Sequence, residues 1–188
     1  MSKPHKVLAI AGSLRAKSYN RALIAYAKKT APASLAIEIF DLAGLPLFDE
    51  DVEAKGYPDS VAKLHAAVGA ADALLIATPE YNYGTSGVLK NALDWMSRPP
   101  GKSTCAGKPT ALVGAAAGGG GSMRAQASLR PVLAAMGLLQ LVGADLIVPA
   151  AYNAFDAEGN LVNEVSQKAL AKTLDAFALW IDRLAAKG

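Results

Sequence analysis

The chain has 188 residues, of which 52% are hydrophobic and 19% are charged, and it carries a net charge of +3. That length fits one domain spanning 1–188 with a sizeable core, and the composition excludes a disordered chain. The basic residues are scattered rather than clustered, so nucleic acid is not an expected partner.

In chain order, Lys3 and Lys6 precede the run VLAIAGS. That run is too short for the apolar region of a secretory signal, and Lys6–Gly12 reads as a strand buried on both faces. A helix is expected over Tyr19–Lys29. Leu35–Leu42 alternates its apolar residues, which predicts a half-exposed strand at a sheet edge. A loop rich in proline, glycine and acids, Leu45–Pro58, includes Asp49, Glu50 and Asp51, expected to be a solvated face. The helix after it carries Val61, Leu64, His65 and Val68 on one side, placing His65 in a core or an interface. Ala71–Pro79 is the most continuous apolar strand and is ended by a proline. Ser86–Ser97 sets Leu89, Ala92, Leu93 and Met96 at core spacing on a helix.

Cys105, the sole cysteine, falls in a polar loop between Pro100 and Pro109, so neither an internal disulfide nor a cysteine-rich metal site can form. A reducing cytoplasm fits that usage. Pro109–Ala116 reads as a strand, and a four-glycine loop and a helix over Met123–Met136 follow it. Leu138–Pro149 is strand-like, with a break at Gly143. The apolar window from Val132 to Ala151 is too interrupted by Gln140, Asp145, Pro149 and glycines to cross a membrane. In the last helix Leu170, Leu174, Phe177, Ile181 and Leu184 step by four and three. His5 stands near a terminus expected to fray, and the two histidines fit no metal-ligand spacing. No G-x-S-x-G elbow occurs, so hydrolase and metalloenzyme chemistry are not expected.

Five strands alternating with helices predict an α/β fold, a mainly parallel sheet covered on both faces. Ligands of such sheets sit beyond the carboxyl ends of the strands. The loops after strands one, three and four are therefore the candidates: AGSLRAKSYN, TPEYNYG and AAAGGGGSMR. In the first, Ser18 is a suitable helix N-cap. Ser13, Arg15, Ser18 and Asn20 beside free helix amides would also surround a phosphate, so capping and anion binding are both open. The loop has neither the G-x-x-x-x-G-K-[ST] nor the G-x-G-x-x-G pattern. In the second loop, Tyr81, Asn82 and Tyr83 offer stacking surfaces and amides to a flat heteroaromatic ligand, or else pack over the sheet or against another subunit. In the third, glycines allow close backbone approach or form a lid. Arg124 opens a helix, where the dipole disfavours a cation, so a partner, a ligand or plain solvation is open there.

Together GSLRAKSYNRAL and PEYNYGTSGVLKNALDW resemble the NADPH-dependent FMN reductases, the flavodoxin-like group of quinone, azo-dye and chromate reductases. The resemblance implies a flavodoxin-like doubly wound five-stranded parallel sheet. It implies FMN as cofactor, NADPH or NADH as donor, and hydride transfer through the flavin N5 to a small-molecule acceptor such as a quinone. It places the FMN phosphate on Ser13, Arg15, Ser18 and Asn20, adds Leu14 and Tyr19 to the cofactor-binding residues, and places the ring on Pro79, Glu80, Tyr81, Asn82 and Tyr83. Tyr83 is the one side chain with a candidate part in shaping the acceptor pocket or donating a proton. The family often runs Gly-x-Ser-x-Gly before an arginine; here Ala116 stands at the serine position and Gly118 follows, which removes a hydroxyl from that loop. A homodimer or homotetramer and no membrane association are implied too. The alternative is an electron carrier of the same fold without NAD(P)H oxidation, a role whose members are acidic where this chain is net basic. A response-regulator role would need aspartates after the first strand, where Ala11, Gly12 and Ser13 stand.

Overall fold

The computed structural model describes residues 3–186; the four terminal positions of the expected 1–188 domain lie outside the described residues. Strand β1, His5–Ala11, is followed by helix α1, Tyr19–Thr30, strand β2, Leu35–Phe40, and a one-turn helix α2, Glu50–Glu53. Helix α3, Asp59–Ala70, leads to β3, Ala73–Ala77, then α4, Gly87–Met96, and β4, Pro109–Ala115. Helix α5, Met123–Ala135, precedes the short strands β5, Leu139–Gln140, and β6, Leu146–Val148, and α6, Glu164–Ala185, ends the described chain.

The strands are all parallel and run in the order β2-β1-β3-β4-β5, with β6 pairing β4 as well. The expected fifth strand is thus two pieces on one neighbour, separated where Gly143 takes a φ of +82°. Alternation through the sheet sorts the core. Val7, Ala9, Leu75 and Val113 face α1 and α6, packing on Leu23, Leu174 and Phe177. Leu8, Ile10, Leu74 and Leu112 face α3, α4 and α5, meeting Leu64, Leu93 and Leu133. Two covered faces explain why β1, β3 and β4 read as unbroken apolar runs. The half-exposed β2 stands at an edge, as its alternation predicts.

Outside the strand ends, several expectations meet their physical reasons. His5 is paired in β1, and its Nε2 lies 2.7 Å from an Asp182 carboxylate oxygen, so the strand begins where fraying was expected. His65 stacks on Tyr57 at 4.5 Å, and burial lowers its pKa despite the carbonyl and carboxylate nearby. Cys105 is buried against Ser103 and the Met96 carbonyl, and burial raises its thiol pKa. Asp49, Glu50 and Asp51 are all exposed, the solvated face expected, with Asp49 capping α2, while the neighbouring Glu53 holds the Arg98 Nε at 2.7 Å.

Candidate active site

At the carboxyl ends of β1, β3 and β4 a cavity of about 800 Å³ opens between the three loops singled out above. The β1 loop supplies one end. Ser18 caps α1: its Oγ accepts the N–H groups of Asn20 and Arg21. A hydroxyl accepting in this way still has its own proton to donate, so capping and anion binding do not compete. Ser13 is buried beside it. Among the described residues, the N–H groups of residues 14–17 and of Tyr19 have no hydrogen-bond partner, and Arg15 has no carboxylate. The Arg15 guanidinium lies 5.5 Å from the Tyr19 ring centre, and that ring rests on Phe155. A helix N-terminus, two hydroxyls and an unpaired guanidinium form a cationic donor set matched to one phosphate group.

Asn20 and Leu14 differ from the rest of the expected cofactor-binding residues of this loop. The Asn20 amide is committed to β4: its Nδ2 donates to the Ala115 carbonyl at 2.8 Å and its Oδ1 accepts the Ala115 N–H at 2.9 Å. Asn20 therefore ties the start of α1 to the end of β4 while it lines the cavity, and its second Nδ2 proton is left over as a donor. Leu14 is 49% exposed and its side chain does not line the cavity, which leaves only its backbone N–H available.

The opposite wall is the β3 loop. Tyr81 and Gly84 exchange both backbone hydrogen bonds at 3.0 Å, and Asn82 and Tyr83 between them have φ of +49° and +64°. Two consecutive left-handed residues make a mirror-image tight turn. Asparagine accepts that conformation readily, whereas for a tyrosine it stores about 1–3 kcal/mol of strain. Tyr83 is 70% exposed at the cavity rim, with the Arg124 guanidinium 4.1 Å from its ring centre.

Glu80 joins this wall to the third loop. Its carboxylate, 7% exposed, accepts Arg124 Nε at 2.6 Å and the N–H groups of Arg124 and Ala125 at 2.9 and 3.2 Å. The α5 N-cap, Ser122, makes no side-chain cap bond, so Glu80 caps that helix from 44 residues away. This is also how an arginine is tolerated at a helix start: the carboxylate neutralises it and satisfies the dipole. Burial works against the Glu80 charge, but Arg124 and the two amides outweigh it and hold the pKa below the ordinary glutamate value.

The third loop is fixed at its base and open at its tip. Ala116 donates to the Val148 carbonyl, and Gly121, at φ +56°, lies so close to Ile147 that a Cβ there would come within 2.6 Å. At Gly118 a Cβ would meet nothing within 4 Å, so protein packing does not demand a glycine there; it leaves room for a ligand. Ala116 lines the cavity without a hydroxyl. Tyr152, just beyond β6, also lines it, as does Arg124. Sequence reasoning omitted Tyr152, although it follows a strand's carboxyl end and the same positional rule covers it.

A family model described as NADPH-dependent FMN reductase matches residues 5–153. The chain belongs to that family. An NAD(P)H-dependent FMN reductase of Pseudomonas aeruginosa is 46% identical over 98% of this chain and 99% of its own. A 2-hydroxy-1,4-benzoquinone reductase of a Burkholderia species is 37% identical, covering 94% and 96%. Among solved structures, the flavoenzyme NAD(P)H:(acceptor) oxidoreductase FerB from Paracoccus denitrificans superposes with a TM-score of 0.87 at 34% identity, covering 95% of this chain and 98% of that one. As a member of the FMN reductase family the chain is an oxidoreductase that uses FMN and NAD(P)H. The cavity fits such a cofactor: a donor-rich cationic end suits a phosphate monoester, and the tyrosine wall with the open Gly118 backbone suits a flat ring.

Proposed function

We propose that this chain is a quinone reductase of the FMN-dependent kind, taking two electrons from NAD(P)H for small acceptors such as quinones. The supporting observation is the pairing of the cationic loop with the tyrosine wall in one cavity, alongside quinone reductases among the relatives. When bound, FMN supplies the hydride-transfer chemistry, and the protein supplies binding, orientation and electrostatics. Ser13, Arg15, Ser18 and the amides of the β1 loop would hold its phosphate. Pro79 to Tyr83 and the Ala116–Gly118 backbone would hold the ring, with loop N–H groups aimed at its polar edge. Asn20 and Glu80 line the cavity and also fix where these loops stand, through Ala115 and through Arg124. Tyr83, held against Arg124 at the rim, limits the size of acceptor that reaches the cavity. The site is built without a general base or an activated nucleophile, as flavin chemistry allows.

Among the described residues no helix is long and apolar enough to cross a membrane. We place the enzyme in the cytoplasm, in line with its buried free thiol, and infer a homodimer or homotetramer, since Tyr81, Tyr83 and Tyr152 are exposed together around the cavity mouth. Titrating the purified protein with FMN and then following NADPH oxidation with and without a quinone tests the function. Binding at micromolar FMN and quinone-dependent oxidation are expected; FMN binding without NAD(P)H oxidation would mark an electron carrier instead.

A further inference from the structure

Between β3 and α4 the loop 78–85 is closed at its foot as well as at its Tyr81–Gly84 tip. The Thr78 and Thr85 hydroxyls meet at 3.0 Å, and Thr78 Oγ1 donates to the Pro79 carbonyl at 2.8 Å. A hydroxyl has one proton to give. Thr78 gives its own to Pro79, so Thr85 is the donor within the pair, and the relay runs from Thr85 through Thr78 to that carbonyl. Both hydroxyls stand on fixed backbone. The Thr78 N–H donates to the Val113 carbonyl at 3.0 Å. Ser86, next to Thr85, caps α4 and donates to the Gly12 carbonyl at 2.6 Å.

The relay acts on the peptide that follows Pro79. In a planar trans peptide the C=O and the N–H point in opposite directions. Thr78 is fully buried behind the wall, whereas Pro79 and Glu80 line the cavity. A carbonyl held inward by Thr78 therefore sends the Glu80 N–H toward the cavity. That N–H has no hydrogen-bond partner among the described residues. The Glu80 carboxylate is engaged by Arg124 and the amides of α5, so its charge does not oppose an electron-rich group in front of the N–H.

We infer that Thr78 is a positioning residue for the flavin, with Thr85 as its support: their relay holds the Glu80 N–H as a fixed donor to the ring edge that gains negative charge on reduction. A donor set in advance binds reduced FMN better than oxidised FMN, because a charged acceptor strengthens the hydrogen bond. The inference rests on the FMN reductase reading, and its test separates the two.

Thr78→Val keeps the shape of the side chain and removes the hydroxyl, and Thr78→Ser keeps the hydroxyl. The Kd of oxidised FMN is measured by fluorescence quenching, and the midpoint potential of bound FMN by anaerobic equilibration with a reference dye; together they give the Kd of reduced FMN. In Thr78→Val, reduced FMN should lose about tenfold more affinity than oxidised FMN, which for a two-electron couple is a potential about 30 mV lower. Thr78→Ser should stay within about twofold of the unmodified protein. Thr85→Val leaves the Thr78 donation in place and should shift the ratio in the same direction by less than Thr78→Val does. Should Thr78→Val fail to fold, Thr78→Cys, a weaker donor of similar size, takes its place, with a shift of about threefold expected. In the NMR spectrum of the unmodified protein the Glu80 amide proton should move downfield when FMN binds. A loop that the substitution only loosens would bind both redox forms less well by the same factor. That result, a Thr78→Ser protein that behaves as Thr78→Val does, or a Glu80 amide indifferent to FMN would each overturn the inference. Failure of the unmodified protein to bind FMN would overturn the reading beneath it.

Discussion

Arg15 and Asn20 sit five residues apart, one in the β1 loop and one in the first turn of α1, and differ in what the fold asks of them. Arg15 has no carboxylate partner, so removing it costs the fold little and the ligand much. Arg15→Ala should weaken FMN roughly tenfold to a hundredfold, the loss of one or two charge-assisted hydrogen bonds, and leave the unfolding midpoint of the FMN-free protein unchanged. Asn20 is buried with both ends of its amide on Ala115. Asn20→Ala orphans a buried N–H and a buried carbonyl, and should lower stability by about 1–3 kcal/mol even without FMN. Denaturant unfolding of the two FMN-free variants reads the difference directly. The sequence could not separate them. Both are polar residues at a helix start, and what distinguishes Asn20 is a partner 95 residues away. Ser18, whose capping partners are two and three residues on, was legible because its role is local.

At the level of elements, the buried strands and long amphipathic helices were readable because periodicity is a local signal. Helix α2 was not, being a single turn with no fully buried residue. Nor was the bond between the β3 loop and α5, since nothing in the order of residues brings Glu80 to Arg124. That bond is titratable. The Glu80 pKa is held below its ordinary value, so its stabilising share is complete above the ordinary glutamate range and is lost as pH falls through the depressed value. Glu80→Gln keeps an acceptor for the helix amides and removes the charge. It should cost about 1–2 kcal/mol at neutral pH and little at the acid end. Urea midpoints of the two proteins should therefore converge on acidification; parallel curves would show that the charge does not matter.

Across the whole molecule, the site is assembled from loops at one end of the sheet, and the apolar core lies between the strands and the helices on either face. Ligand binding should then act on stability by mass action alone. FMN at about a hundred times its Kd should add about 2.7 kcal/mol and raise the melting temperature by about 5–11 °C, as differential scanning calorimetry would show. Arg15→Ala at the same FMN concentration should lose part of that rise. The general location of the site was legible from strand order, because parallel sheets bind ligands at one end; the Tyr83 turn was not, because its backbone departs from what tyrosine prefers. The strand broken at Gly143 has a further consequence. An open edge of unpaired N–H and C=O groups can template a neighbouring molecule, and long, flat edges do so most readily. Here the far side of the sheet is presented as a two-residue and a three-residue piece, with Arg130 bound to both Gln140 and Asp145 across the break. The near side, β2, sets an exposed Glu38 among its apolar residues. Both margins are thus poor templates for strand addition by a neighbouring molecule.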